Sequence, residues 1–331
     1  MMKTDARRGA LLAFVLAAGL ALSACGADGN GEGSAGPDAD AAGPMELRVA
    51  SLPIADLGAY FYAIDNGIFD DHGLAVENVS STGGSAAISA MLSGDVDIAY
   101  SGNDSVLKSY AQGLPVVIVA AANNNQPDGE QDSAGLVVSA GTTAQDLTGK
   151  PLATNALDNI NQVYTQQWLD ENGVNPDEAS FVEVPFPEQV AALQSGQISG
   201  SLMPQPFMAQ AIEAGAEVLG WPYRSGPDGV TPIASFVSQD STVEGKREAI
   251  DAFVAAMEEA NAKANDEANR DELISSILAN TKLTADAAAG ISFVQYTTDV
   301  GVDELDQLAE LLVKFDILSE APDLSGIVLG S

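Results

Sequence analysis

The chain has 331 residues, long enough for two packed domains, and 46% of them are hydrophobic, so it can build a sizeable core. Thirteen Lys and Arg stand against 47 Asp and Glu, a net charge of −34. That balance excludes nucleic-acid binding through phosphate contacts, which needs clustered basic residues; it fits a solvated, extracytoplasmic exterior, and equally an acidic, salt-tolerant proteome. A single cysteine excludes an internal disulfide.

Residues 1–24 read as a signal peptide. Lys3, Arg7 and Arg8 precede an apolar stretch, 11–22, that is short for a membrane span. Leu22-Ser23-Ala24-Cys25 resembles the bacterial lipobox, in which the cysteine becomes the first mature residue and carries a diacylglyceryl thioether. The bland alternative is a plain secretory signal with a chance cysteine. The lipobox reading anchors the protein to the outer face of the bacterial cell membrane through Cys25. Residues 25–45, rich in Gly, Ala, Asp and Pro without apolar periodicity, then form a flexible tether.

From Glu46 the pattern changes. "ELRVASL" is a strand, "LGAYFYAIDNGIFDDHG" a helix stopped near Gly67 and Gly73, and "LAVENVS" an alternating strand. "TGGSAAISAMLSG" is a Gly-Gly turn entering a helix, "DVDIAYSG" a strand, "DSVLKSYAQG" a helix and "LPVVIVAAA" an apolar central strand. Such alternation predicts βα units and mostly parallel sheets. Beyond the polar "NNNQPDGEQDSAG" the grammar recurs. "LVVSA", "PLATNA", "ASFVEVP" and "QISGSLM" are strands; "NINQVYTQQWLDENG" and "PEQVAALQSG" are helices. "AMLSGDVDIAYS" and "ALQSGQISGSLM" share a Ser-Gly turn, so the chain reads as two related α/β lobes. After the strand "IASFVSQ" it becomes helical from about Glu244 in four amphipathic segments. Returning these to the first lobe gives 46–125 and 230–331 as lobe 1 and 126–229 as lobe 2, with crossings near 123–134 and 222–232.

The segment "LGAYFYAIDNGIFDDHGLAVENV…GGSAAISAMLSGDVDIAYSGNDSVLKSYAQGLPVVIV" resembles the N-terminal lobe of ABC-importer solute-binding proteins, in the branch that binds nitrate, sulfonates, taurine and thiamine-pyrimidine precursors. Gly67, Phe69, Gly73, Leu74, Val76 and Glu77 fit its first phrases; Ser93, Gly94, Asp97, Ala99, Gly113 and Pro115 fit the later ones. "DLTGKPLAT" and "ALQSG" extend the likeness over most of 46–240, while Ser199-Gly200 departs from the family's Asp-Ala. The resemblance implies a type II periplasmic-binding-protein fold: two α/β lobes, two hinge strands and a solute held between them. It also implies an ABC permease with its ATPase as partners. A monomer with no cofactor and no metal is expected.

In open α/β sheets ligands sit beyond the carboxyl ends of strands, beside helix N-termini. That rule, applied to the sequence, selects Asp56 and Tyr60 after the first strand, and Thr82, Gly84 and Ser85 at the second helix. It selects Ser101 and Asn103 after "DVDIAYS" and Asn123 after the apolar strand. In the second series it selects Asn155, Asp158 and Asn159, then Phe186 and Glu188 in "PFPEQ", and Gln205 in "MPQPF". Each has a plainer role available: an N-cap, a hinge, a helix-end charge or core packing. None of these segments contains Arg or Lys, which argues against a dianion and favours a neutral, zwitterionic or cationic solute, such as a planar heterocycle stacked on Tyr60 or Phe186. A monoanion such as a sulfonate or nitrate, held by helix ends and amides, is the alternative. Arg48, Lys108 and Arg224 are the cations that three-dimensional folding can still bring to the cleft.

Enzymatic chemistry finds little support. His72, the single histidine, lies in the turn "DDHGL", and no Cys/His cluster has zinc spacing. The histidine-centred chemistry of a thiamine-pyrimidine synthase has no evident counterpart.

Overall fold

The computed structural model describes residues 43–127, 129–225, 229–288 and 291–330; the signal peptide, Cys25 and nearly all of the tether lie outside them. Residues 43–331 form one compact unit. It contains two sheets. The six-stranded sheet holds β1 (Met45–Ser51), β2 (Leu74–Ser80), β3 (Ile98–Gly102), β4 (Val116–Asn124), β10 (Pro232–Gln239) and β11 (Gln295–Tyr296), in the order β11-β4-β10-β3-β1-β2. The five-stranded sheet holds β5 (Ala134–Ser139), β6 (Pro151–Thr154), β7 (Ser180–Glu183), β8 (Gly200–Pro204) and β9 (Ala216–Gly220), in the order β7-β6-β8-β5-β9.

Mostly parallel sheets are found in strand direction but not in adjacency. β1 pairs in parallel with β2 and β3, and β6 with β7 and β8. β10 is antiparallel to both β3 and β4, β11 to β4, and β5 to both β8 and β9, so both sheets are mixed: one reversed strand sits inside each, and β11 adds another at an edge. The physical reason is the route of the chain. β4 leaves its sheet at its carboxyl end, the chain passes through 125–133, and β5 must enter from that same end. The return through 221–231 reverses β10 likewise. Alternation of apolar residues reports which segments are strands, but not the end from which each is entered.

The long helix expected over "LGAYFYAIDNGIFDDHG" divides into Gly58–Asp65 and Ile68–Asp71. Gly67 separates them with φ of +71°, a left-handed turn that a side chain would strain. Among the C-terminal segments, Arg247–Ala264, Arg270–Asn280 and Val302–Lys314 are helices, while "TADAAAGISF" gives only Ala285–Ala288 among its described residues. β9 and the helices Phe207–Glu213 and Asp240–Gly245 were not anticipated; they are short and carry weak periodicity.

Aromatic packing fixes the six-stranded half. Phe253 of the helix Arg247–Ala264 stacks on Phe69 at 5.5 Å and meets Phe236 of β10 edge-on at 5.2 Å. Tyr60 packs on Phe69 and Phe236 in the same cluster. Aromatic pairs in these geometries add about 1 kcal/mol each beyond their buried area.

Candidate functional site

The carboxyl ends of β1, β3, β6 and β8 face a common cavity of about 60 Å³. From the six-stranded side it is lined by Leu52, Ile54, Asp56, Gly84, Tyr100, Gly102, Ile233 and Ala234. From the five-stranded side come Asn155, Asn159, Ile160, Asn161, Phe186 and Pro204, with Tyr223 from the second crossing. A second space of about 240 Å³ shares Leu52, Ile54 and Phe186 with it. Its other walls are Pro53, Ser80, Ser81 and Thr82 on one side and Pro185, Pro187 and Phe207 on the other, so it is largely apolar. Together they make a small chamber with amide, carboxyl and phenol groups among its apolar lining, beside a larger and more apolar space.

Four helices begin at the chamber. Gly84 opens Gly84–Ser93, Gly102 precedes Asn103–Ala111, Asn159 caps Ile160–Glu171, and Phe186 opens Phe186–Gln194. The first N–H groups of a helix have no intrahelical acceptor, and the helix dipole adds partial positive charge there. The sequence permits a close approach at Gly84. A Cβ there would fall 2.6 Å from Ser101 Oγ and 3.0 Å from the Gly102 nitrogen, so only glycine lets this helix end sit against β3.

Amides on the five-stranded side are fixed by one another. Thr154 Oγ1 donates to Asn159 Oδ1 at 2.6 Å, and Asn159 Oδ1 also accepts from the Gln162 amide at 3.1 Å. Asn159 Nδ2 donates to Asn155 Oδ1 at 2.7 Å, and Asn161 Nδ2 reaches the same oxygen at 3.4 Å. With its oxygen so occupied, Asn155 turns Nδ2 toward Gly83 across the cleft, 3.8 Å from where a Cβ on that glycine would stand. Tyr223 donates its hydroxyl to Asn161 Oδ1.

Asp56 is the ionisable carboxyl of the chamber, 4% exposed. Its backbone oxygen accepts from Asn123 Nδ2 at 2.9 Å, but no donor among the described residues sits on its carboxyl oxygens. Burial, reinforced by the charge of Asp132, pushes its pKa up to about 7. Burial likewise raises the phenols of Tyr100 and Tyr223, which stay neutral.

The residues selected from the sequence therefore divide. Asp56, Gly84, Asn155, Asn159 and Phe186 line the chamber, and Thr82 lines the apolar space. Ser101 lies beneath Gly84, fully buried. Asn103 and Asn123 are also buried behind the lining: Asn103 Nδ2 donates to the Pro232 oxygen, and Asn123 Nδ2 holds Asp56 and the Tyr100 hydroxyl. Ser85 is exposed and absent from the chamber lining, and its hydroxyl meets that of buried Ser105 at 3.1 Å.

Tyr60, Asp158, Glu188 and Gln205 do not reach the cavity. Tyr60 sits in the aromatic core because its helix turns that face inward, and its hydroxyl goes to Asn78. Asp158 and Glu188 are exposed; the Asp158 backbone oxygen instead receives Lys108 Nζ. Gln205 turns back to accept from the Ala209 amide at 3.2 Å and caps its own helix. The cations left open by the sequence are engaged elsewhere. Arg48 binds Asp97 at the far end of β1, Lys108 binds Asp104, and Arg224 pairs with buried Asp132.

Asn161, Tyr100 and Tyr223 were missed. Asn161 was legible by the helix-end rule, since it is the second residue of its helix. Tyr100 and Tyr223 carried no local signal; strand direction and the crossing bring them in. His72 pairs with Glu259 at 3.1 Å and is absent from the cavity lining. Among the described residues no group of three His, Cys, Asp or Glu is arranged to hold a metal.

A model described as the NMT1-like family matches residues 40–278. No curated protein matches the sequence. Among solved structures, the ligand-binding component of an ABC-type import system from Staphylococcus aureus superposes with a TM-score of 0.74 at 16% identity, covering 86% of this chain and 96% of that one. The alkanesulfonate-binding protein SsuA from Xanthomonas axonopodis pv. citri, bound to MOPS, gives 0.70 at 16% identity, covering 87% and 99%. The periplasmic nitrate-binding protein NrtA from Synechocystis PCC 6803 gives 0.64 at 15% identity, covering 74% and 69%. At these identities the likeness is one of fold.

Proposed function

This chain belongs to the NMT1-like family, solute-binding receptors of ABC import systems with the type II periplasmic-binding-protein fold, and from that premise we propose that it binds a small organic monoanion with an apolar substituent. The observation that carries this is the convergence of four helix N-termini on a chamber without Arg or Lys in its lining. Helix ends and amide donors balance one negative charge but offer a dianion no guanidinium fork. The chamber suits a compact head group, and the adjoining space between Pro53, Phe186 and Phe207 suits an alkyl or small aromatic tail. The neutral, zwitterionic or cationic solute favoured by the absence of nearby cations is the weaker fit, because four helix ends, each carrying partial positive charge, meet at the chamber. The names of similar structures, an alkanesulfonate binder and a nitrate binder, support the same class.

The solute is gripped from both sides: Gly84 and Asp56 come from one lobe, Asn155, Asn159 and Phe186 from the other. Lobe 1 comprises 46–125 and 230–331, lobe 2 comprises 126–229, and the segments 125–133 and 221–231 act as hinges. A ligand that contacts both lobes drives closure, and the closed form is what the permease receives. The protein is a monomer tethered through lipidated Cys25.

A thermal-shift screen tests this on soluble chain lacking residues 1–25, which lie outside the compact unit. The panel holds alkanesulfonates, nitrate, taurine, riboflavin, thiamine precursors and amino-acid derivatives. An alkanesulfonate at about a hundredfold its dissociation constant should add about 2.7 kcal/mol of stability. Stabilisation by neutral or cationic compounds alone would overturn the monoanion reading, and chemical conversion of a hit would revive an enzymatic one. Replacing Cys25→Ser should release the protein from membranes; continued attachment would defeat the anchor.

A further inference from the structure

We propose that Asp56 selects the charge of the solute by making anion binding proton-coupled: the chamber holds one negative charge, either the Asp56 carboxylate or the solute head group. The inference rests on the monoanion reading and assigns the residue that enforces it. Asp56 lines the chamber, is more than nine-tenths buried, and has no donor on its carboxyl oxygens among the described residues. Behind it, Asn123 Nδ2 donates to the Asp56 backbone oxygen and the Tyr100 hydroxyl, and Tyr296 donates to the neighbouring Ala55 oxygen at 3.0 Å, while Asn123 Oδ1 is buried without a partner among the described residues. A buried carboxyl left without protein donors among the described residues has the chamber that Asp56 lines as its open side.

Charged and titratable groups around it come from every packed element. Asp132 stands in the first crossing, itself held by the Ser133 amide at 2.8 Å and by Arg224 at 3.6 Å. Tyr100 comes from β3, Tyr223 from the second crossing and Tyr296 from β11; burial keeps all three phenols neutral. Asp104, at the start of Asn103–Ala111, is paired with Lys108 at 3.3 Å. No cation in this set is free to neutralise Asp56, since Arg224 and Lys108 are each spent on another carboxylate. An anion entering beside an ionised Asp56 would put two like charges in one low-dielectric space. Protonated, Asp56 instead offers an O–H donor to the anion, adding to the helix N–H groups. The proton enters from solvent with the ligand and leaves with it, and no bond to the solute forms or breaks.

Propanesulfonate, a monoanion at all accessible pH, is the probe for the soluble chain. Its dissociation constant is measured by calorimetry from about pH 5.5 to about pH 8.5, in buffers of different ionisation enthalpy. The constant should be flat at the acid end and rise about tenfold per pH unit above about pH 7, with close to one proton taken up at the alkaline end. In Asp56→Asn, which mimics the protonated carboxyl, it should not change with pH and proton uptake should vanish. A flat constant in the unmodified protein overturns the role of Asp56 while leaving the monoanion reading intact. The same rise persisting in Asp56→Asn also overturns it and points to Asp132. Proton uptake in the unmodified chain is decisive even if the variant does not fold. Failure of the monoanion reading looks different: neither chain binds any alkanesulfonate, nitrate or carboxylate at any pH, and the coupling falls with it.

Discussion

Asn125 ties the two crossing segments together, and its replacement by alanine offers a quantitative test of how the sheets are held. The side chain is fully buried. Its Oδ1 accepts from the Thr231 amide at 2.7 Å, and its Nδ2 donates to the Gly229 oxygen at 2.9 Å, the Tyr223 oxygen at 3.1 Å and Asp132 Oδ2 at 3.4 Å. Truncation leaves unequal debts. The Tyr223 oxygen keeps the Thr231 hydroxyl at 2.6 Å, and Asp132 keeps Ser133 and Arg224. The Thr231 amide, in a residue that is itself fully buried, loses its acceptor outright. A buried unsatisfied amide costs about 1–3 kcal/mol, and the weaker lost bonds add about 1 kcal/mol, so Asn125→Ala should destabilise by about 3 kcal/mol. Asn125→Asp separates the contributions. It keeps the acceptor for Thr231 but sets a carboxylate where an N–H met Asp132, so its loss should be larger near pH 8 than near pH 5. Guanidinium unfolding followed by fluorescence of Trp168 and Trp221 measures both. The reasoning is refuted if Asn125→Ala stays within about 0.5 kcal/mol of the unmodified chain, or if Asn125→Asp is more stable at alkaline than at acid pH.

Phe186 stacks on Phe207 at 5.6 Å and borders both cavities, so Phe186→Ala should weaken long-chain alkanesulfonates more than short ones. The gain per added methylene, about 0.8 kcal/mol where burial is complete, should fall across a homologous series measured by calorimetry. Asp56→Asn should stabilise the ligand-free protein in a pH-dependent way. With its native pKa raised from 3.8 to about 7, Asp56 binds more protons in the native than in the unfolded state between those limits, so stability falls as pH rises through that window and is level above it. The variant escapes that loss, gaining up to about 4 kcal/mol near pH 8 and little near pH 4; a destabilised variant at pH 8 contradicts the burial of this carboxyl. Lys314 reaches across to Asp170 at 2.8 Å, with both side chains nearly half exposed. Lys314→Ala should therefore cost at most about 1 kcal/mol of stability, and the cost should disappear in high salt.

Much of the fold was legible because its signals are local. Alternation marked β2, short apolar runs marked β1 and β4, and Ser-Gly turns precede both β3 and β8. Of the residues selected by the rule that ligands lie beyond strand carboxyl ends, Asp56, Gly84, Asn155, Asn159 and Phe186 line one cavity. Tyr60, Asp158, Glu188 and Gln205, selected by the same rule, do not line that cavity. Position along the chain places a residue near the cleft, but the side-chain direction depends on what its helix packs against.

The sequence by itself determined the βα grammar, the repeated Ser-Gly turn before a strand, the acidic composition and the absence of Arg and Lys from the strand-end segments. Only the tertiary structure decided that β5 and β10 run backwards, that Tyr100 and Tyr223 reach the chamber, and that four helix ends meet there. Periodicity and turn chemistry act over a few residues and are written in the chain. Convergence of dipoles and burial of a lone carboxyl arise from contacts between segments a hundred residues apart, such as Asp56 and Asn155, and exist only once both sheets have packed.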